Sequence, residues 1–304
     1  MGKSESNSMT PTRQSASHLL HQPLPTNMNH FNKFKSLPIL TLLPTISLIF
    51  YTTIFVFLHD WLGLKSPLGT ANALIFSFLS LLLGYSFWVC VITDPGNVNE
   101  GYVPDVEGNH GESEDGENGA LRMSRCDKCY VYKPLRTHHC RVCKRCILKM
   151  DHHCTWINNC VGYRNYKPFV LLVFYGALCS MYSTIIFVGS AIHKDWSSQT
   201  ISIQIYYVIC GVAVVGLWIT LITLLGWHVY LLTQNMTSIE YQEGLRASWL
   251  ARKSGQCYHH PYNLGAFRNI TTILGPNVLK WLCPEATSHL KDGTSFPTSR
   301  DSSL

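Results

Sequence analysis

Residues 169–192, FVLLVFYGALCSMYSTIIFVGSAI, run 24 positions without one charged side chain. Coiled as a helix at 1.5 Å per residue, they would reach about 36 Å, more than the ~30 Å hydrocarbon core of a bilayer. Three further stretches share this character: Leu37–Leu58, with Pro38 and Pro44 near its start, Thr70–Ile92, and Ile205–Leu232. One such run could be the buried helix of a large soluble domain. Four of them in 304 residues predict four transmembrane helices instead. The composition agrees, with 14% charged residues against about a quarter in soluble domains. Gly211, Gly216 and Gly226 in the fourth run suit close helix contact in lipid. In the third, Gly176, Cys179, Ser180 and Ser183 recur at helical spacing and suit either tight packing or room for a long apolar guest.

Basic residues set the orientation. The connection Asp60–Gly69 holds only Lys65 and the connection His193–Gln204 only Lys194, whereas Asp94–Lys167 holds 11 Lys and Arg and the chain after 232 holds seven. Positive charge stays in the cytosol, so both termini and the long connection are expected there, and the sequons at Asn235 and Asn269 are expected to go unused. Residues 1–36 read as a disordered cytosolic segment without a secretory signal. Met1-Gly2-Lys-Ser-Glu-Ser6 fits a myristoylation pattern. The expected order is helices 1 and 2 over 37–92, an acidic Gly-rich linker within 93–124, a cysteine-rich domain over 125–167, helices 3 and 4 over 168–232, and a cytosolic region over 233–304 with membrane-surface helices and a loose tail.

Seven of the 12 cysteines fall between Cys126 and Cys160, mixed with four histidines: Cys126-Asp-Lys-Cys129, His138-His139-Cys140, Cys143, Cys146, Asp151-His152-His153-Cys154 and Cys160. Such density is no disulfide framework and reads as reduced, metal-binding cysteine. Zinc takes four N or S ligands tetrahedrally. Two sites of three Cys and one His would use six of the seven cysteines. Cys154 is the natural remainder, because it lies beside His152 and three residues after Asp151. An imidazole can hold a neighbouring thiol as thiolate, and a carboxylate can orient that imidazole. The competing reading is a zinc-binding interaction module without chemistry.

The pattern Cys-x2-Cys, Lys133-Pro-x-Arg136, His139-Cys140-x2-Cys143-x2-Cys146, Asp151-His152-His153-Cys154-x-Trp156, Asn159-Cys160-Val161-Gly162 and Asn165 resembles the cysteine-rich domain of the DHHC family of protein S-acyltransferases. Outside it, Asp94-Pro95-Gly96 after the second helix, Thr237-Ser238-Ile239-Glu240 after the fourth, and Asn263 with Asn269 resemble further motifs of that family. The resemblance covers about 37 to 284 and implies an all-α membrane protein, with four transmembrane helices and a cytosolic zinc-bound domain between helices 2 and 3. It implies one zinc on Cys126, Cys129, His139 and Cys146 and another on Cys140, Cys143, His153 and Cys160. It also implies Cys154 as acyl acceptor, His152 as general base and Asp151 as its orienter, with Ser238 supporting Asp151. His138 is left without a ligand role. Two positions depart from the family: Thr155 stands where it usually has Pro, and Ser238 where it often has Thr. Thr237-x-x-Glu240 is also a helix capping box, and Asn263 an ordinary turn residue.

The expected reaction moves a long-chain acyl group, palmitoyl first, from acyl-coenzyme A to cysteines of membrane-associated proteins on the cytosolic face. Trp156 is expected beside the acyl thioester, and Lys133, Arg136, Arg141, Lys144, Arg145 and Lys149 near coenzyme A phosphates. Family habit points to the Golgi or another endomembrane, with the plasma membrane as the further option. Three other readings fare worse. A zinc scaffold would leave Cys154 without a purpose. A metal transporter wants ionisable groups inside its spans, which are read as free of them. A nucleic-acid-binding finger does not fit four membrane spans.

Overall fold

The computed structural model describes residues 33–99, 101–104 and 124–299. The myristoylation signature and nearly all of the segment expected to be disordered lie outside them, as does most of the acidic linker.

All four apolar runs are helices, each slightly longer than expected: α1 Leu37–Leu62, α2 Pro67–Ile92, α3 Tyr166–His193 and α4 Ile201–Thr233. The start of α2 moved because a polar residue caps it. Ser66 accepts a hydrogen bond from Gly69 N at 2.9 Å, with proline in the first turn behind it. The middle of α1 loosens to π geometry over Thr52–Leu58, where Thr53 bonds both Ile49 O and the Ser183 hydroxyl of α3. By length and composition all four helices can cross a membrane. Helix α3 is the centre of the bundle, with 61% of its most apolar window buried, whereas α4 buries 11% of its own and turns the rest outward. Outward-facing Leu48, Phe78, Leu81, Val208 and Val212 make the apolar surface that lipid would cover.

Helix contact uses some of the small residues and not others. A Cβ on Gly211 would run into the Phe187 ring, but nothing lies within 4 Å of one on Gly216 or Gly226. Of the three glycines expected at a helix contact, only Gly211 makes one, because α4 packs by a single narrow face. On α3, a Cβ at Gly176 would sit 3.3 Å from Leu221 of α4 and 3.7 Å from Leu83 of α2, so this glycine serves close packing. At the end of the bundle away from the cysteine-rich domain, Asp60 Oδ2 accepts from Lys194 Nζ at 2.5 Å and from the Tyr207 hydroxyl at 2.6 Å, joining α1, α3 and α4.

The cysteine-rich domain is two short antiparallel hairpins, β1 His138–Cys140 with β2 Arg145–Ile147 and β3 His152–Cys154 with β4 Asn159–Val161. Strands of three residues cannot stand alone. They are fixed to the membrane helices by polar side chains at the junction, of which Asn159 is buried. Asn159 donates to the Cys90 and Thr93 carbonyls at 3.1 and 2.9 Å, satisfying acceptors that the end of α2 leaves open. Asp94 Oδ1 accepts from Gly96 N at 2.8 Å and Oδ2 from Arg145 at 2.6 Å. Gly96 O then accepts from Leu148 N at 3.0 Å. Gly96 holds φ +107°, a torsion open to glycine and to few others.

After α4 the chain turns into α5 Ser238–Lys253 and α6 Ala266–Leu274. Asn263 accepts from Gly265 N and from Asn269 Nδ2 and donates to Gln234, while Asn269 donates to Thr233 O at 2.7 Å. This pair anchors α6 beneath the end of α4. Ile270, Ile273 and Leu274 pack into the bundle end, and Phe267 faces outward. Both sequon asparagines, Asn235 and Asn269, are buried with bonded side chains, so neither offers a free amide to a glycan.

Candidate active site and metal centres

The side-chain alternation of a strand, two residues per repeat, explains why the metal ligands interleave. Along β1, His139 points to one face and its successor Cys140 to the other. His139 lies opposite Cys146 on β2, and His153 opposite Cys160 on β4. Each cross-strand pair joins one Cys-x2-Cys turn. Cys126, Cys129, His139 and Cys146 form one group and Cys140, Cys143, His153 and Cys160 the other, with the donor atoms of each group within 4.8 Å of one another. His139 Nδ1 lies 3.6, 3.2 and 3.9 Å from the sulfurs of Cys126, Cys129 and Cys146. His153 Nδ1 lies 3.8, 3.5 and 3.6 Å from those of Cys140, Cys143 and Cys160. A tetrahedral zinc with bonds near 2.3 Å to sulfur and 2.1 Å to nitrogen has N···S edges of about 3.6 Å. Both donor sets therefore fit zinc in number, chemistry and spacing, and both are closed sets of the structural kind.

The same alternation decides what β3 does. His153 faces the metal group, so His152 and Cys154, two apart, share the opposite face. Cys154 is 8% exposed and packs among Ile39 of α1, Phe87 and Val91 of α2, Phe169 and Val173 of α3, and Leu232 of α4. The thiol thus sits where the ends of all four helices meet the cysteine-rich domain. Beside it, His152 Nδ1 lies 2.7 Å from Asp151 Oδ2. Burial weighs against a charged imidazole, but hydrogen bonding and charge from Asp151 and Cys154 outweigh it and raise the His152 pKa to about 9.

Asp151 is held by the start of α5. The carboxylate is 1% exposed. It accepts from Ser238 N at 2.8 Å on Oδ1 and from Ser238 Oγ at 2.9 Å on Oδ2. Burial would raise its pKa, but His152 and the helix N–H keep it below the usual carboxylate value. The expected Ser238–Asp151 contact is therefore present, and the serine hydroxyl is sufficient for it. The capping box is present as well: Thr237 accepts from Glu240 N, and Glu240 accepts from Thr237 N at 2.9 Å.

Arg136 is held by a partner distant in sequence. Its side chain is 1% exposed and forms a two-pronged pair with Glu240, Nε to Oε1 at 2.5 Å and Nη2 to Oε2 at 2.7 Å. It also lies between the Tyr262 and Phe296 rings, 4.3 and 5.0 Å from their centroids. The guanidinium so held joins the cysteine-rich domain to α5, and it also borders the cleft that Lys133 lines. Lys149 is buried likewise, donating to Asn235 Oδ1 at 3.0 Å, and Arg145 is spent on Asp94. Lys133 is half-buried, Arg141 and Lys144 are exposed, and Trp156 is 57% exposed on the turn that follows Cys154. Thr155 opens a 3₁₀ turn, Thr155–Ile157, a position where proline is tolerated. His138 is half-buried and outside both ligand groups.

One residue was missed. The spans were expected to be free of ionisable side chains, yet His228 lies in α4, 2% exposed, with its ring centroid 6.1 Å from that of His152. The available signal was the histidine itself, since an ionisable group in an apolar span is costly and seldom idle.

Residues 121–244 match the family model described as DHHC palmitoyltransferase. Probable protein S-acyltransferase 15 of Arabidopsis thaliana is 52% identical over 255 residues, which cover 84% of this chain and 99% of that relative. Probable protein S-acyltransferase 16 of the same plant is 45% identical over 270 residues, covering 88% and 94%. Palmitoyltransferase ZDHHC15 of Rattus norvegicus is 37% identical over 183 residues, 59% of this chain and 51% of that relative. With two closed Cys/His groups, four apolar helices and this similarity along nearly its whole length, the chain belongs to the DHHC family of protein S-acyltransferases.

Proposed function

We propose that this S-acyltransferase takes a long-chain acyl group, palmitoyl first, from acyl-coenzyme A and carries it as a thioester on Cys154. The observation that supports this most is the shared face of β3. It sets a thiol and an Asp-oriented imidazole side by side at the end of an apolar bundle. The Cys154 thiolate attacks the thioester carbonyl, the bond to the coenzyme A sulfur breaks, and His152 supplies the proton for the leaving thiolate. In the second step a substrate thiol gives its proton to His152 and attacks the acyl-enzyme, and Cys154 is released. Asp151 keeps the imidazole in orientation throughout.

The two zinc ions would be structural, filled by Cys126, Cys129, His139 and Cys146 and by Cys140, Cys143, His153 and Cys160. Their chemistry there is to cross-link the hairpins so that β3 keeps its register. The acyl chain would enter the apolar cluster around Cys154, where each buried methylene contributes about 0.8 kcal/mol. Trp156, exposed on the turn after Cys154, would meet the thioester end. For the polar head, Lys133 lines a cleft of about 300 Å³ together with Arg136 and His138, with Glu240 and Glu243 also on its wall, and Arg141 and Lys144 are exposed. The distribution of Lys and Arg supports cytosolic termini and a cytosolic site, hence membrane-associated protein substrates on that face. Endomembranes, the Golgi first and the plasma membrane second, rest on the family resemblance alone.

The test is acylation of the detergent-purified protein with labelled palmitoyl-coenzyme A, wild type against Cys154→Ser, with neutral hydroxylamine and metal content on the same samples. A hydroxylamine-sensitive label on wild type, absent from a zinc-loaded Cys154→Ser, is the expected result. Equal labelling of both would remove Cys154 as the carrier.

A further inference from the structure

His228 is the buried polar side chain of α4 that the mechanism above leaves unused. It sits five residues before the end of the helix at Thr233. The Tyr166 hydroxyl lies 3.3 Å from its Nδ1. Phe169 meets the His228 ring edge-on at 4.9 Å and the His152 ring edge-on at 5.2 Å. Tyr166 and Phe169 are three apart in the first turn of α3, so they share one face of that helix. Tyr166 is 6% exposed, Phe169 4% and His228 2%.

These rings form a wall along one side of the His152 imidazole, whose side chain is 33% exposed. The bond from Nδ1 to Asp151 fixes one end of that imidazole, and packing sets how far the ring can tilt about that bond. Phe169 blocks that movement on the bundle side. Phe169 in turn keeps its tilt because His228 abuts it, and His228 keeps its own because Tyr166 bonds it. A phenylalanine at 228 would fill the same space at lower cost in an apolar span. The imidazole adds only the bond to Tyr166, and with it a defined ring orientation.

We infer that Tyr166 and His228 are positioning residues which, through Phe169, hold the His152 imidazole in line with Cys154. The inference rests on the acyl-enzyme reading above. It predicts that loss of the Tyr166–His228 bond lowers kcat and leaves the binding of acyl-coenzyme A alone.

The experiment is steady-state coenzyme A release by the full-length, zinc-loaded enzyme with palmitoyl-coenzyme A, comparing wild type, Tyr166→Phe, His228→Phe, His228→Gln and the double variant Tyr166→Phe/His228→Phe. Each phenylalanine variant should lower kcat about three- to tenfold, the worth of one buried hydrogen bond, with KM within about twofold and zinc unchanged. His228→Gln, which keeps an acceptor for Tyr166, should recover part of the loss. The double variant should be no slower than the slower single one, since both remove one interaction. Single variants with wild-type kcat, a loss confined to KM, or losses that multiply in the double variant would each overturn the inference. If His228→Phe fails to fold, Tyr166→Phe, which removes one oxygen atom, decides by itself. A wild type that labels on Cys154 beside unaffected variants sinks this inference alone, whereas an unlabelled wild type sinks the acyl-enzyme reading and this one with it.

Discussion

Replacing Ser238 by Ala removes one oxygen from the start of α5 and nothing from its backbone. In the wild type Asp151 has three partners: Ser238 N at 2.8 Å, Ser238 Oγ at 2.9 Å and His152 Nδ1 at 2.7 Å. Alanine keeps the first and third. The lost bond is to a charged acceptor with no exposed side-chain surface, so solvent cannot replace it cheaply, and it is worth about 1.5–3 kcal/mol. At about 1.4 kcal/mol per factor of ten, the ceiling on the rate loss is roughly 10- to 150-fold. Part of the loss also raises the ground state, which places the expected effect near the lower end, about tenfold. The assay is single-turnover acylation by palmitoyl-coenzyme A, with zinc content measured in parallel. Ser238→Thr, which returns the hydroxyl, should stay within about threefold of wild type. The reasoning is refuted if zinc-loaded Ser238→Ala acylates at more than half the wild-type rate, or if Ser238→Thr is as slow as Ser238→Ala.

Five other outcomes are expected. Glu240→Gln should destabilise the protein by about 3–5 kcal/mol, because it strands the buried Arg136 charge, and Arg136→Met/Glu240→Leu should recover most of that in a denaturation series. Burial raises the pKa values of Asp151 and Glu240, but their partners more than offset it and hold both below the ordinary values of 3.8 and 4.5. Their stabilisation is therefore complete above those values and drains away as pH falls below them, visible as a falling melting temperature in acid and absent for the Glu240 share in Arg136→Met/Glu240→Leu. Gly96→Ala forces a Cβ onto φ +107°, 3.4 Å from Leu148 Cβ, and should cost about 1–3 kcal/mol in thermal unfolding, with earlier zinc loss. Thr155→Pro should leave the melting temperature and acylation rate nearly unchanged, since the first position of the 3₁₀ turn accepts a fixed φ; a large loss would show that Thr155 has a role of its own. Chelation of zinc should expose the chain around 124–165 to limited proteolysis and abolish acylation, because three-residue hairpins have no other cross-link, while Cys154→Ser should keep both its zinc and its resistance.

The four helices, the metal groups and the Asp-His-Cys run were legible because each rests on local pattern. Hydropathy over some twenty residues decides whether a segment can enter lipid, and Cys-x2-Cys spacing decides whether two thiols can share an ion. Alternation along His152-His153-Cys154 is equally local, and in a strand it puts the thiol and imidazole on one face. The assignment of ligands to two interleaved groups was not local; it came with the family resemblance, and cross-strand register accounts for it afterwards. The Arg136–Glu240 clamp was hidden for the opposite reason. A basic residue beside a ligand-binding surface and one clamped on a glutamate 104 positions away look the same in sequence, and only the return of α5 onto the cysteine-rich domain tells them apart. The glycines of α4 were equally undecidable, because helix periodicity says which residues share a face and not which face meets a neighbour. His228 was visible all along as a lone imidazole in an apolar run, but its nearness to His152 depends on where the end of α4 crosses the start of α3. Composition and spacing thus pointed to four helices able to cross a bilayer, to Cys/His groups of metal-ligating chemistry and to one cysteine left beside an imidazole. Packing alone decided which charges are buried in pairs and which rings stand behind the imidazole, because those contacts join residues tens to a hundred positions apart whose distance no local pattern encodes.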